Sequence, residues 1–215
     1  MERNDALVRL KTLEGEDLYS CAEHYGVTVW KKSTTGAMTL NKGWFGHVIE
    51  HFLGLPQNSA QSPNFGSWEL KTTSLKRKKC GTIVPKETLA ITMIDPFEVL
   101  HKEFEDSHLF SKLKKMILVS RIVSEKYEKS GLVFSVDTFD LDDVELLRGI
   151  RNDYDLVRSV LKANNGRLES LSGKMGYWVQ PRTKGSGHGS ISRAFYGRKR
   201  LIQKIIGKIG YGKIL

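Results

Sequence analysis

The sequence predicts a mixed α/β domain, a mixed sheet flanked by helices. Three observations carry this. Apolar residues recur at helical spacing in some segments, as at Phe45, Val48, Ile49, Phe52 and Leu53. Elsewhere they form short apolar or alternating runs typical of strands, as in Leu89 to Ile94 and Leu132, Phe134 and Val136. The chain has 215 residues without an internal repeat or an inter-domain linker, so one domain, residues 1–215, is expected.

The elements follow in order. Asp5 to Tyr25 reads as mainly helix, with Leu7, Leu10, Leu13, Leu18, Cys21 and Ala22 inward, and Gly26 to Thr39 as loop or short turn. Lys42 to Leu53 is an amphipathic helix, and a loop from Leu55 to Ser62 leads to a strand over Ser67 to Thr73. Lys76-Arg77-Lys78-Lys79 is a basic hairpin tip or loop. Leu89 to Ile94 is a buried strand stopped by Asp95-Pro96. Met116 to Val123 and Gly131 to Asp137 are strands, and Leu141 to Asn164 is a helix. Gly176 to Gln180 is a strand, Gly185 to Ser190 a flexible loop, and Leu201 to Ile209 a basic amphipathic helix.

Charge is segregated. The net charge is +10, from 34 basic and 24 acidic residues, and no acidic residue follows Glu169. Ten basic residues lie in the last 46, so the first 169 residues are neutral, with 24 of each sign. A basic block at 174–215 favours a polyanionic partner, and double-stranded DNA is the expected one. No run of about 18 apolar residues exists, so no membrane partner is expected. The charged start Met1-Glu2-Arg3-Asn4-Asp5 lacks a signal-peptide core, and Cys21 and Cys80 lack metal-type spacing. A cytoplasmic location with reduced thiols is expected.

The chemistry centres on Ser62-Pro63-Asn64-Phe65-Gly66-Ser67-Trp68-Glu69-Leu70-Lys71. On a strand, Glu69 and Lys71 share one face, while Trp68, Leu70 and Thr72 take the other. A carboxylate that holds a divalent cation, beside an ammonium that stabilises developing charge, suits phosphodiester hydrolysis. A second acidic ligand is expected at the Pro63 turn, where the chain has Asn64, a neutral and poorer ligand for a hard cation. Glu50 lies on a side of its helix where it can face this site.

Lys42-Gly43-Trp44-Phe45-Gly46, the helix with Glu50, the Pro turn and Glu69-Leu70-Lys71-Thr72 resemble the MutH-like nucleases. That group holds a mismatch-repair nicking endonuclease and restriction enzymes that cut at GATC, within the PD-(D/E)xK superfamily. Three further segments match in the family's order. Ser107 to Lys115 resembles its second lysine segment, Tyr177 to Gly185 its DNA-reading strand and loop, and Arg193-Ala194-Phe195-Tyr196 its late loop before a C-terminal helix.

The resemblance implies a PD-(D/E)xK restriction-endonuclease-like fold and a Mg²⁺-dependent DNA endonuclease, with Ca²⁺ or Mn²⁺ as substitute ions. It implies Glu50, Asn64, Glu69, Lys71 and Lys112 as the catalytic set, with metal ligation at Asn64, Glu69 and Leu70. It also implies DNA contacts from Lys42, Glu87, Gln180, Arg182, Thr183, Lys184, Gly185, Tyr196, Arg198, Lys199 and Arg200. Arg182 can offer two donors to guanine, Glu87 can accept from cytosine N4, and Tyr196 would stand near the target adenine.

The family has aspartate at the position of Asn64. Either this chain is an inactivated variant, or it is a natural binder or weak enzyme. The intact Glu50, Glu69, Lys71 and Lys112 favour inactivation. The first functional expectation is a type II restriction enzyme, with a methyl-directed mismatch-repair nickase as the alternative. Only the second calls for a mismatch-repair partner, and a non-catalytic DNA-binding module is the third reading. A palindromic target needs either a homodimer or two visits by a monomer. His47, His51, His101, His108 and His188 show no ligand spacing and read as structural or solvent-facing.

Overall fold

The computed structural model describes residues 1–33, 36–54, 65–123, 130–185 and 190–207. Its centre is a four-stranded mixed sheet of β3 (Glu69–Arg77), β4 (Ile83–Pro85), β6 (Lys115–Ile122) and β7 (Val133–Asp140), in the order β4-β3-β6-β7. β3 and β6 run parallel, with Glu69 opposite Met116 and Lys71 opposite Leu118; the outer pairs are antiparallel.

Strand alternation divides the core in two. On β6, Met116 and Leu118 point into one apolar cluster and Ile117 and Val119 into the other. The Ile117 side is covered by α1 (Arg3–Lys11) and α2 (Trp44–Phe52), through Ala6, Leu10, Phe45, Val48 and Ile49. The Met116 side is covered by α4 (His108–Lys114), α5 (Val144–Ala163) and α6 (Lys199–Ile206), and by a second sheet. The second sheet is antiparallel, in the order β5-β9-β8, from β5 (Leu89–Met93), β9 (Arg193–Gly197) and β8 (Val179–Thr183). The expected mixed sheet between helices is present, with this smaller sheet added.

Helix starts follow their side chains. Asp95 accepts a hydrogen bond from Phe97 N ahead of α3 (Pro96–His101), with Pro96 in the first turn. Ser107 Oγ accepts from Phe110 N at α4, and Asp143 from Leu146 N at α5. Asn165 and Gly166, both at positive φ, end α5.

Three expectations need correction. The helix expected over Asp5 to Tyr25 stops at Lys11. Beyond it Gly15, at φ 89°, donates to Val133 O, and Asp17 accepts from Gly131 N and Tyr19 N. Those bonds to the β7 region replace helical ones. Gly26 to Thr39, expected as loop or short turn, holds a short ribbon, β1 (Trp30–Lys32) with β2 (Met38–Leu40). Arg193 to Tyr196 is the central strand of the second sheet, not a loop. Its alternation of Ala194 and Tyr196 against Phe195 is too short to stand out in sequence. Most of the loop expected over Gly185 to Ser190 lies outside the described residues.

Candidate active site

β3 brings the chemistry together because a period of two sets Glu69 and Lys71 on one face. Leu70 packs its side chain into the opposite cluster, so only its main chain can face the site. Phe65 stacks on Trp68 with ring centroids 3.8 Å apart, which fixes the chain as it enters the strand. Asn64 lies just outside the described residues.

Glu69 is fully buried. Its Oε1 lies 2.5 Å from Lys71 Nζ and 3.3 Å from Lys112 Nζ. Lys112 comes from the last turn of α4, which Ser107 caps and Leu109 and Leu113 bury. An isolated buried carboxylate is costly, and two ammonium groups offset that cost here. Burial pushes the Lys112 ammonium below its usual range, Glu69 pulls it back up, and Lys71 opposes it as a like charge.

α2 crosses β3 closely, and a Cβ at Gly46 would stand 3.4 Å from Thr72 Oγ1. Arg121 of β6 supports the helix start, its guanidinium 4.9 Å from the ring centroid of Trp44 and 5.0 Å from that of Phe45. The helix thus presents Glu50 to the site. Burial raises the Glu50 carboxyl, the field of Glu69 raises it further, and His47, Lys71 and His51 lower it.

Two carboxylates that feel each other in one cleft are hard oxygen donors, the kind that suits a hard divalent cation. Among the described residues no group of three or more His, Cys, Asp or Glu gathers as a ready ligand cluster. A cation here would rest on Glu69, Glu50, main-chain oxygen and water.

These groups line a cleft of about 690 Å³. β3 forms its floor and the start of α2 one wall, with Lys42 and His47. The other wall comes from β5 and β9, with Glu87 and Tyr196, and Lys184 stands at the rim. His47, expected to be structural or solvent-facing, lines the cleft beside Glu50. Among the described residues no helix is long and apolar enough to cross a membrane.

Arg182 lies beside the Tyr196 wall, outside the cleft lining itself. Its Nη1 donates to Thr88 Oγ1 at 2.7 Å, and its guanidinium lies 5.6 Å from the Tyr196 ring centroid. Lys184 Nζ approaches the same ring at 5.9 Å. Burial raises the Tyr196 phenol, Arg182 lowers it and Glu87 raises it. Thr88 was not foreseen; nothing in Lys86-Glu87-Thr88 marks it until β5 and β8 are placed on either side of β9.

Upstream, buried Asp153 of α5 accepts hydrogen bonds from Tyr177 N, Trp178 N and Val179 N, at 2.6, 2.6 and 2.9 Å. Gly176, at φ 75°, permits this turn, since a Cβ there would meet Val179 O at 1.9 Å. Asp153 was also missed, because in sequence it is one acid among several on a long helix.

The remaining expected DNA contacts lie outside the cleft lining. Gln180 is buried, although it shares a strand face with Arg182. Arg198 is engaged by the main chain, donating to Gly176 O, Gly173 O and Met175 O. Lys199 and Arg200 sit exposed at the start of α6, outside the cleft lining, with Arg200 stacked 3.6 Å from the Tyr177 ring centroid. Thr183 is exposed at the end of β8, and Gly185 follows at φ 124°.

Comparison with known proteins bears on this cleft. Residues 53–143 match the family model of the DNA mismatch repair enzyme MutH, a span that includes Glu69, Lys71 and Lys112. The chain is 22% identical to the DNA mismatch repair protein MutH of Haemophilus ducreyi over 174 residues, 78% of this chain and 73% of that protein. It is 21% identical to the MutH of Vibrio campbellii over 94% of this chain and 85% of that one. It is 24% identical to the type II restriction enzyme Sau3AI of Staphylococcus aureus, over 88% of this chain but only 39% of that enzyme. Among solved structures, the restriction endonuclease MvaI in complex with its cognate DNA substrate aligns over 86% of this chain and 94% of that one. Its identity is 14% and its TM-score 0.35, too loose a likeness to argue from. The family match, over less than half of the chain, and the curated relatives agree in what this chain is similar to: MutH proteins and a type II restriction enzyme.

Proposed function

We propose that this chain is a sequence-specific endonuclease of the type II restriction kind, acting on duplex DNA with Mg²⁺, with GATC as its target. The observation that carries the reading is the buried Glu69 held between Lys71 and Lys112 on the floor of a cleft walled by Glu87 and Tyr196, with Arg182 beside the Tyr196 ring. When bound, the cation supplies polarisation of the scissile phosphate and acidification of a water. The chain's own residues do the rest. Glu69 and Glu50 offer the oxygen ligands. Lys71 and Lys112 place positive charge where the phosphate gains negative charge. Arg182, pinned by Thr88, presents its remaining donors to a base edge.

Asn64 follows the family's metal-ligand position, and one missing ligand charge weakens Mg²⁺ binding. This chain is therefore read as catalytically impaired but able to bind DNA, since phosphate contacts supply most of the affinity. The relatives named MutH support a second reading, a nickase that works with a mismatch-repair partner.

The test is cleavage of unmethylated plasmid DNA with Mg²⁺ by the Asn64→Asp chain. Linear products ending at GATC support the restriction reading, and nicks alone support the second. Binding without any cleavage would leave a DNA-binding module of this fold.

A further inference from the structure

We propose that the β3–β4 hairpin is a second DNA-contacting arm, which grips the phosphate backbone of the duplex outside the cleft. This rests on the DNA reading above. Between Glu69 and Glu87 the chain carries six basic residues and no acidic one. Four of them, Lys76, Arg77, Lys78 and Lys79, are consecutive and exposed at the hairpin end.

The hairpin is well ordered by its bonds. Leu75 pairs with Pro85, Lys76 with Val84 and Arg77 with Ile83. Lys78 N donates to Thr82 O at 2.8 Å and Gly81 N to Lys78 O at 2.9 Å, with Gly81 at φ 86°. Arg77 Nη1 donates to Gly81 O at 3.2 Å, which braces the turn. The charged tip is thus a fixed projection and not a floppy run.

Its charge is also uncompensated. Some basic side chains elsewhere pair with acids, as Arg3 does with Asp140, Arg158 with Glu103 and Lys204 with Asp143. Among the described residues no carboxylate pairs with Lys76, Lys78 or Lys79. Like charges held close repel, and an array of them on a rigid turn suits a polyanion with regularly spaced charge.

Position names the polyanion. The hairpin is rooted in the cleft at both feet: β3 supplies the cleft floor through Thr73, and the strand returning from the turn leads through Lys86 to Glu87 and Thr88 in the cleft wall. At about 3.3 Å per residue, Arg77 stands roughly 26 Å along the strand from Glu69. That reach is about eight phosphate steps of 3.4 Å on one DNA strand. A duplex seated on Glu69 and extending along the hairpin would meet the basic tip well beyond a short recognition site.

The test compares the native chain with a Lys76→Gln, Lys78→Gln, Lys79→Gln variant. These side chains are exposed, and Arg77 is kept so that its bond to Gly81 survives. Binding is measured in Ca²⁺ with two duplexes carrying one central GATC, one flanked by about 4 base pairs and one by about 15 on each side, lengths set by the roughly eight-step reach. The native chain should gain affinity with length and the variant should not. Loss of three contacts should cut the salt slope by up to about 2.7, so between 50 and 200 mM salt the native chain's affinity for the long duplex should fall about 40-fold more than the variant's. Equal slopes and equal gains with length would overturn the arm while leaving the cleft reading intact. Failure of the native chain to bind either duplex would overturn both.

Discussion

Replacing Arg182 by Ala separates base reading from backbone holding. The guanidinium is fixed on two sides, by the 2.7 Å bond to Thr88 and by the Tyr196 ring beneath it, while the side chain remains exposed to a ligand. A lost bidentate contact to guanine costs about 1–3 kcal/mol, or roughly 5- to 150-fold in affinity on the cognate duplex. Unrelated duplexes should lose much less, because a base contact carries sequence information and a phosphate contact does not. Lysine at position 182 should rescue only in part, since it keeps the charge and loses the planar fork. Thr88→Val removes one hydroxyl and keeps the shape; about 1 kcal/mol, near fivefold, should disappear from cognate binding alone. Thr88→Ser should restore it. The assay is competition binding with cognate and scrambled duplexes in Ca²⁺. Equal losses on both duplexes would make Arg182 a backbone contact and refute the reasoning, with Lys184 or Glu87 the next residues to examine.

Two further predictions concern stability. Glu50→Gln should stabilise the metal-free protein at neutral pH by about 0.5–1 kcal/mol, small because solvent still reaches the carboxyl. A raised folded-state value means that Glu50 favours folding only while protonated, and that this contribution is lost as pH rises through the folded value. The gain from Gln should therefore fade on acidification; urea titrations at several pH values check this, and a gain independent of pH would contradict it. Asp153→Asn should destabilise by about 3 kcal/mol, because one oxygen is left for three main-chain donors and its amide faces N–H groups. Urea unfolding measures the loss, and a change under about 0.5 kcal/mol would show that the turn does not depend on this carboxylate.

Much of the site was legible because its signal is local. Glu69, Lys71 and the α2 face each follow from a period of two or 3.6 within a dozen residues, whereas Lys112 came only from the family resemblance and its helix α4 was not read from the sequence. What stayed hidden is long-range. Thr88 meets Arg182 across 94 residues, and Asp153 meets Tyr177 across 24. Sheet order sets the first contact and helix packing the second, and neither has a local pattern. The helix expected over Asp5 to Tyr25 failed for the same reason: apolar spacing continued past Lys11, but Gly15 and Asp17 found partners on the β7 side. Arg198, which the family resemblance implied as a DNA contact, is engaged by three main-chain carbonyls, a tie that no sequence pattern announces.

The central claim is that Glu69, set between Lys71 and Lys112, is the cleavage centre and that Asn64 is what impairs it. The most direct measurement is the single-turnover cleavage rate of a GATC duplex with Mg²⁺ for three proteins: the chain as it stands, Asn64→Asp, and Asn64→Asp with Glu69→Gln. The account predicts little or no cleavage by the first, restored cleavage by the second and loss again in the third, with all three still binding the duplex. Cleavage by the unaltered chain at the rate of the Asn64→Asp protein, or cleavage that survives Glu69→Gln, would contradict it.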